Sequence, residues 1–344
     1  MTNSTLGPID HDVLLLRVIT SPVAEVEDRW SAWAEAVDID HLSQAAYGLL
    51  PALYKTVEAA GVEHPWVARL RGVYRRQWTE SQRHLAAAEA VGSVLAAAGI
   101  EFLRPVDQQV SRFLPDPATQ QLGRPRVAVG WWTTPAALDA LTRAGWHLDD
   151  DGSRAGSLRA RLTRTSWPIS SETGGAAVLV NFFDPWLVDE RRDADVWSRA
   201  RAVSGSGPPD ASPADVAVGV LTDQLDLPGA VRWAPAVAAL LDAVGEGVDL
   251  DAVLDRRAAR GVLPVVAGRI RFLAAEGLAR DAGRLLRDVQ TLVARHPLPV
   301  TTPERAADWS RRRLRGLVRR PTAVREIIGR HGGLAGVRDY LARY

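Results

Sequence analysis

The sequence predicts an α+β fold: a small mixed β-sheet core flanked by N-terminal and C-terminal helical regions. Three observations carry this expectation. Apolar residues recur at helical spacing from His11 to Gly99. Short segments rich in β-branched and aromatic residues take over between Ile100 and Phe183. Helical spacing then returns after a stretch dense in Gly, Pro and Ser, Val203 to Pro213. A helix repeats its faces about every 3.6 residues and a strand every two, so a change of period marks a change of element. The divisions expected are residues 1–98, helical; 99–203, mixed sheet; and 214–344, helical.

In the first region Ile39, Leu42, Ala46, Leu49 and Leu53 follow helical spacing. Pro51 should bend or restart that helix, because its ring displaces the preceding turn. The clearest helix begins at Pro65, a residue suited to a first turn, and stops at Ala97-Ala98-Gly99, with Leu85, Ala88, Val91 and Leu95 on one face. Strands are expected at Ile100–Pro105, Arg126–Trp132, Leu158–Trp167 and Ala176–Phe183. Amphipathic helices fill 106–114 and 134–146, giving the order β-α-β-α-β-β. Val203–Pro213 reads as a linker. Helical segments follow from Ala214, Val231, Asp249, Leu263, Asp281 and Pro303, with stripes such as Val253, Ala258 and Val262, or Leu285, Val289 and Leu292.

Composition excludes several chemistries. At 344 residues and 47% apolar content the chain can bury a sizeable core, and its formal charge of +1 gives no global pull towards nucleic acid. There is no cysteine, hence no disulfide, thiolate nucleophile or Cys-ligated zinc. Lys55 is the only lysine and sits in a helical stretch, so a Schiff-base role is not indicated. The seven histidines are scattered, with none paired at helical spacing, which argues against a histidine-held metal. No phosphate-binding glycine loop, HExxH or GxSxG occurs. Met1 to Pro22 lacks a basic segment followed by a long apolar run, and no 18-residue apolar window follows. A cytoplasmic protein with no membrane span is expected.

Carboxylate pairs occur at Asp38/Asp40, Asp149/Asp151, Asp193/Asp195 and Asp249/Asp251. Helix capping explains Asp40, Asp249 and Asp251 better than cation binding, and Asp149 to Gly152 reads as a turn. The basic run Trp309 to Pro321, with its densest part at 311–320, reads as a solvated helix face, with nucleic acid, anionic lipid or an acidic partner as the alternative. Six of the twelve tryptophans, Trp131, Trp132, Trp146, Trp167, Trp186 and Trp197, gather around the expected sheet. They either pack a core or line a pocket for a flat or apolar ligand.

This arrangement resembles the uncharacterised nucleotidyltransferase family, a bacterial branch of the polymerase-β-like superfamily. The likeness spans roughly Leu42 to Leu273 and is carried by "HLSQAAYGLLPALYKTVEAAGV", "AAAGIEFLRPVDQQVSRFL", "ALTRAGW" and "LLDAVGEGVDLDAVLDRRAARGV". The resemblance implies a mixed-sheet core among helices. For active members it implies Lys-Gly after the first strand, an Arg followed four residues on by Asp-x-Asp in the second, and a further Asp on a later strand. Residues i and i+2 of a strand share a face, so two such carboxylates hold divalent ions that clamp a phosphoryl transfer.

Here the chemical positions differ. Arg104-Pro105 stands at the Lys-Gly place and Arg124 matches the arginine, but Ala128 and Gly130 occupy the two aspartate positions and Asn181 stands for the third carboxylate. No Asp or Glu occurs from Pro117 to Leu138, so no small shift of alignment restores the pair. Asp107, after the first strand, and Asp184, Asp189 and Glu190, after the fourth, are the nearest acids; Asp107 and Asp184 are the catalytic candidates. Arg104, Asp107, Arg124, Ala128, Gly130, Trp131 and Asn181 form the candidate ligand-binding set, with no metal and no cofactor expected.

Three functions stay open. The first is a degenerate member binding a small-molecule, peptide or protein partner in the former cleft. The second is a repurposed metal-independent enzyme of peptide or secondary-metabolite biosynthesis using a Trp-lined cleft; the resemblance implies placement in biosynthetic gene clusters. The third is retained nucleotidyl transfer with relocated carboxylates. Nucleic acid is not an expected partner.

Overall fold

A computed structural model describes residues 10–103, 109–110, 113–114, 116–119, 124–130, 133–149, 166–180, 197–198, 212–222, 233–244, 263–279 and 282–295. Among the described residues there are ten helices: α1 Asp10–Ile19, α2 Val26–Ala36, α3 Gln44–Tyr47, α4 Leu50–Ala59, α5 Trp66–Ala97, α6 Thr134–Arg143, α7 Pro213–Thr222, α8 Trp233–Val244, α9 Leu263–Ala275 and α10 Ala282–Arg295. Five strands, β1 Phe102–Leu103, β2 Arg126–Val129, β3 Trp146–Leu148, β4 Ser166–Ser171 and β5 Ala176–Val180, form one mixed sheet. The α+β class expected from the sequence is the class observed.

The chain divides into two compact units, one drawing on 1–82, 106–123 and 213–300, the other on 83–105, 124–212 and 301–344. In the first, the helical stripes bury as their spacing demands: Leu285, Val289 and Leu292 of α10 are 2%, 0% and 2% exposed. Pro51 does restart the chain. It sits in the first turn of α4, where a missing N–H costs nothing, while α3 ends four residues earlier. Ile39 and Leu42 lie before α3, and the cap is Ser43, whose hydroxyl accepts from Ala46 N at 3.0 Å. Asp40 is therefore not the cap expected of it; it pairs with Arg69 at 2.6 Å, while Asp38 accepts from Asp40 N at 2.9 Å. Arg269 of α9 donates to the carbonyls of Val220 and Leu221 at 3.4 and 2.8 Å, placing a cation at the end of α7. Lys55 is held at 2.6 Å by Glu58, one turn along α4.

The second unit is built around the sheet, ordered β1-β2-β5-β4-β3. β2 and β5 are parallel, and the other pairs are antiparallel. Alternation gives the sheet two unlike faces. Val127, Val129, Trp167, Ile169, Ala177 and Leu179 join Ala87, Val91 and Leu95 of α5 and Leu138 and Leu141 of α6 in one buried cluster. The opposite face carries Leu103, Arg126, Ala128, Val178, Val180, Pro168, Ser170 and His147 by the same alternation.

Five strands are described where four were expected. The helix expected over 134–146 ends at Arg143, and Gly145, at φ +84°, turns the chain so that Trp146 opens β3. A left-handed residue there is cheap only for glycine. No atom lies within 4 Å of the place a Cβ would occupy, so the cost of adding one is backbone strain alone. Gly145→Ala is expected to lower stability by about 1 kcal/mol, with Gly145→Asn intermediate, measurable as a shift in urea midpoint. β4 runs from Ser166 to Ser171, past the expected end at Trp167; residues 158–165 lie outside the described residues. Pro168 is tolerated inside a central strand because its carbonyl accepts from Asp149 N at 3.0 Å. That side of the residue faces the end of β3, where the ladder stops anyway.

Of the helix expected at 106–114, Gln109–Val110 are helical and Phe113–Leu114 form a turn and bend, and the other residues lie outside the described residues. Residues 203–211 of the linker and the helices expected from Asp249 and Pro303, with the basic run 311–320, lie outside the described residues.

Candidate functional site

The strand holding Arg126 and Ala128 is β2, and its side chains divide strictly by parity. Val127 and Val129 enter the helix-packed core at 1% and 0% exposure. Arg126 and Ala128 therefore face the other way. Ala128 pairs with Leu103 of β1 on one side and Val180 of β5 on the other, so the three stand in one row across the sheet. All three are buried, at 4%, 0% and 4%. A methyl group between a leucine and a valine is an apolar row.

Gly130 leaves the strand. Its carbonyl accepts from Thr133 N, Thr133 Oγ1 and Thr134 Oγ1, each at 3.1 Å, which anchors the turn into α6. Positions 128 and 130 thus supply no oxygen side-chain ligand, and the donor set there does not fit a divalent cation. Among the described residues no group of three or more His, Asp or Glu is placed to hold one.

Arg124 lies at the end of this face, and its guanidinium donates to Asp149 Oδ2 at 2.5 Å. Asp149 also accepts from the Ser170 hydroxyl. The Ser170 hydrogen bond is the main influence holding the Asp149 carboxyl below its usual pKa; burial opposes it, and Arg124 and the charge of His147 add to the lowering. A carboxyl so held adds stability that is present above the ordinary carboxylate range and is lost as pH falls through its lowered value. It is a weak base. His147, exposed, is the direct cross-strand neighbour of Ser170.

Of the candidate residues, Arg124, Ala128 and Gly130 are described, and Arg104, Asp107, Trp131, Asn181 and Asp184 lie outside the described residues, as do Trp132, Trp186, Asp189 and Glu190. The register places Val180, one residue before Asn181, beside Ala128. Trp146 and Trp167 belong to the helix-packed core, at 6% and 1% exposure, on the face opposite Ala128. They pack and do not line the surface over β2.

Arg126, His147, Asp149 and Ser170 were not singled out for this site by sequence. Arg126 was readable, since it shares a strand face with Ala128 at i+2. His147 and Ser170 were not, because the expected helix ran through Trp146, the first residue of β3, and the expected strand ended at Trp167, before Ser170. No helix among the described residues is long and apolar enough to cross a membrane. No family model matches this chain, and no curated protein or solved structure matches it either.

Proposed function

We propose that this is a degenerate nucleotidyltransferase-fold protein that binds a ligand or partner on the sheet face where active members hold metal. The reading is supported by the run of family-like segments and by a mixed sheet between helices. One observation carries it: position 128, in register between Leu103 and Val180, is a 4% exposed methyl group where two-metal transfer requires a carboxylate. Without paired ligands the charge of a triphosphate has no fixed counter-ion. The face instead offers arginines, a serine and a histidine around a few half-exposed apolar residues, a composition suited to recognition.

Calorimetric titration with ATP, GTP, CTP and UTP, with and without Mg²⁺, is expected to show no metal-dependent binding. A metal-dependent Kd tighter than about 100 μM, near −5.5 kcal/mol, would overturn the reading.

A further inference from the structure

On the face opposite the helix-packed core, Arg126 is a strand cation for which the described residues supply no partner. It is half-buried on a strand, and it makes no hydrogen bond or ion pair with any described residue. Its nitrogens are not among the buried, unpartnered polar atoms of the described residues, so the aliphatic stem lies along the sheet while the five guanidinium donors stay within reach of solvent, where an anion can replace water. The carboxylate described on this face, Asp149, is already engaged by Arg124 and Ser170.

The surroundings define what an occupant must look like. Arg126 is in register with Val178 of β5, and Val178 with Pro168 of β4, both half-buried. Strands lie about 4.8 Å apart, so Arg126 to Pro168 spans about 10 Å of apolar floor. Ser170 and His147 stand one step along, on β4 and β3. With no carboxylate at 128, nothing on β2 repels a negative charge.

We infer that this face binds an organic anion without a metal: a carboxylate or phosphate group on Arg126, and an apolar, flat body over Val178 and Pro168. The inference rests on the proposed function and specifies its ligand class. Planar anion oxygens match the guanidinium fork, and the apolar floor favours an aromatic or aliphatic body over a sugar.

The test uses the full chain in EDTA, with benzoate and phenyl phosphate as probes and benzamide as the neutral control, read by calorimetry and saturation-transfer NMR. At least one anion is expected to bind while benzamide does not, and the stronger of the two names the anion type. Arg126→Gln is expected to weaken that binding roughly tenfold to a hundredfold. Arg75→Gln, an equal charge removed from an exposed site on α5, is expected to leave it unchanged. Because the guanidinium has no hydrogen-bond or ion-pair partner among the described residues, Arg126→Gln and Arg126→Leu are expected to melt at or above the wild-type temperature.

Binding of neither anion in the millimolar range, equal binding by Arg126→Gln, or equal loss in Arg75→Gln would overturn the inference. So would a loss of more than about 4 °C in both Arg126 variants, which would assign the arginine to the fold. Each of these failures leaves the proposed function standing, whereas metal-dependent nucleotide binding removes both.

Discussion

Ala128→Asp is expected to destabilise the protein by up to about 3–5 kcal/mol at neutral pH, the scale for a buried charge left unpaired, less what Arg126, two residues along the same strand face, returns as a cation. The site is 4% exposed and lies between Leu103 and Val180, which offer neither a donor nor a cation. Burial would favour the protonated acid and raise its pKa above the unfolded value. The folded state would then bind the extra proton, so the penalty is smallest below the ordinary carboxylate range and grows as pH rises through the raised pKa. Urea unfolding at pH 4.5 and 7.5, with and without Mg²⁺, reads this directly. A larger loss at pH 7.5, unrelieved by Mg²⁺, fits a face that completes no cation site. Near-wild-type stability at pH 7.5, or several kcal/mol regained with Mg²⁺, would show that the surroundings still complete a cation site.

Trp167→Ala is expected to cost about 3–5 kcal/mol, the range for removing a buried large side chain and leaving a cavity. Trp167 is 1% exposed and shares a cluster with Val91, Leu95, Leu138 and Leu141, so the vacated space is walled by α5, α6 and β5 and can collapse only in part. Trp78→Ala provides the contrast. At 48% exposure on α5, that substitution should change stability by no more than about 0.5 kcal/mol. Thermal or urea unfolding of both variants decides the matter. Equal, small losses would mean that the helix-packed face is not the core described above. The result also bears on the sheet's chemistry, since a tryptophan spent on the core is not available to a ligand on the opposite face.

Local pattern was legible wherever burial follows a single element. The long helix from Pro65 to Gly99 was readable because its stop is chemical: Gly99 takes φ +67°, as a helix terminator commonly does. The stripe Leu285, Val289, Leu292 was readable because one helix buries one face. β3 was not readable. Three residues, Trp146 to Leu148, are too short to establish a period, and the amphipathic helix before them runs on into Trp146 unless Gly145 is taken as a stop. The extent of β4 was obscured by Pro168, which signals against a central strand; its missing donor is harmless only because of where β3 ends. At the candidate site, Arg124 was named through the family resemblance, which implies an arginine at that place, while Asp149, its partner, was read as a turn residue.

The sequence by itself determined the chemistry available on β2: Arg126, Ala128 and Gly130 with no acid from Pro117 to Leu138, a local property that no packing can change. It also determined, through the two-residue period, that Arg126 and Ala128 point together. Only the tertiary structure decided what stands beside them. The parallel pairing of β2 with β5 joins Arg126 to Val178, and the contacts of Asp149 reach across 25 residues to Arg124 and 21 to Ser170. Side-chain direction alternates within one strand, but strand order and register depend on hydrogen bonds and burial between distant segments, so only the assembled sheet shows that Asp149 engages Arg124 and not Arg126.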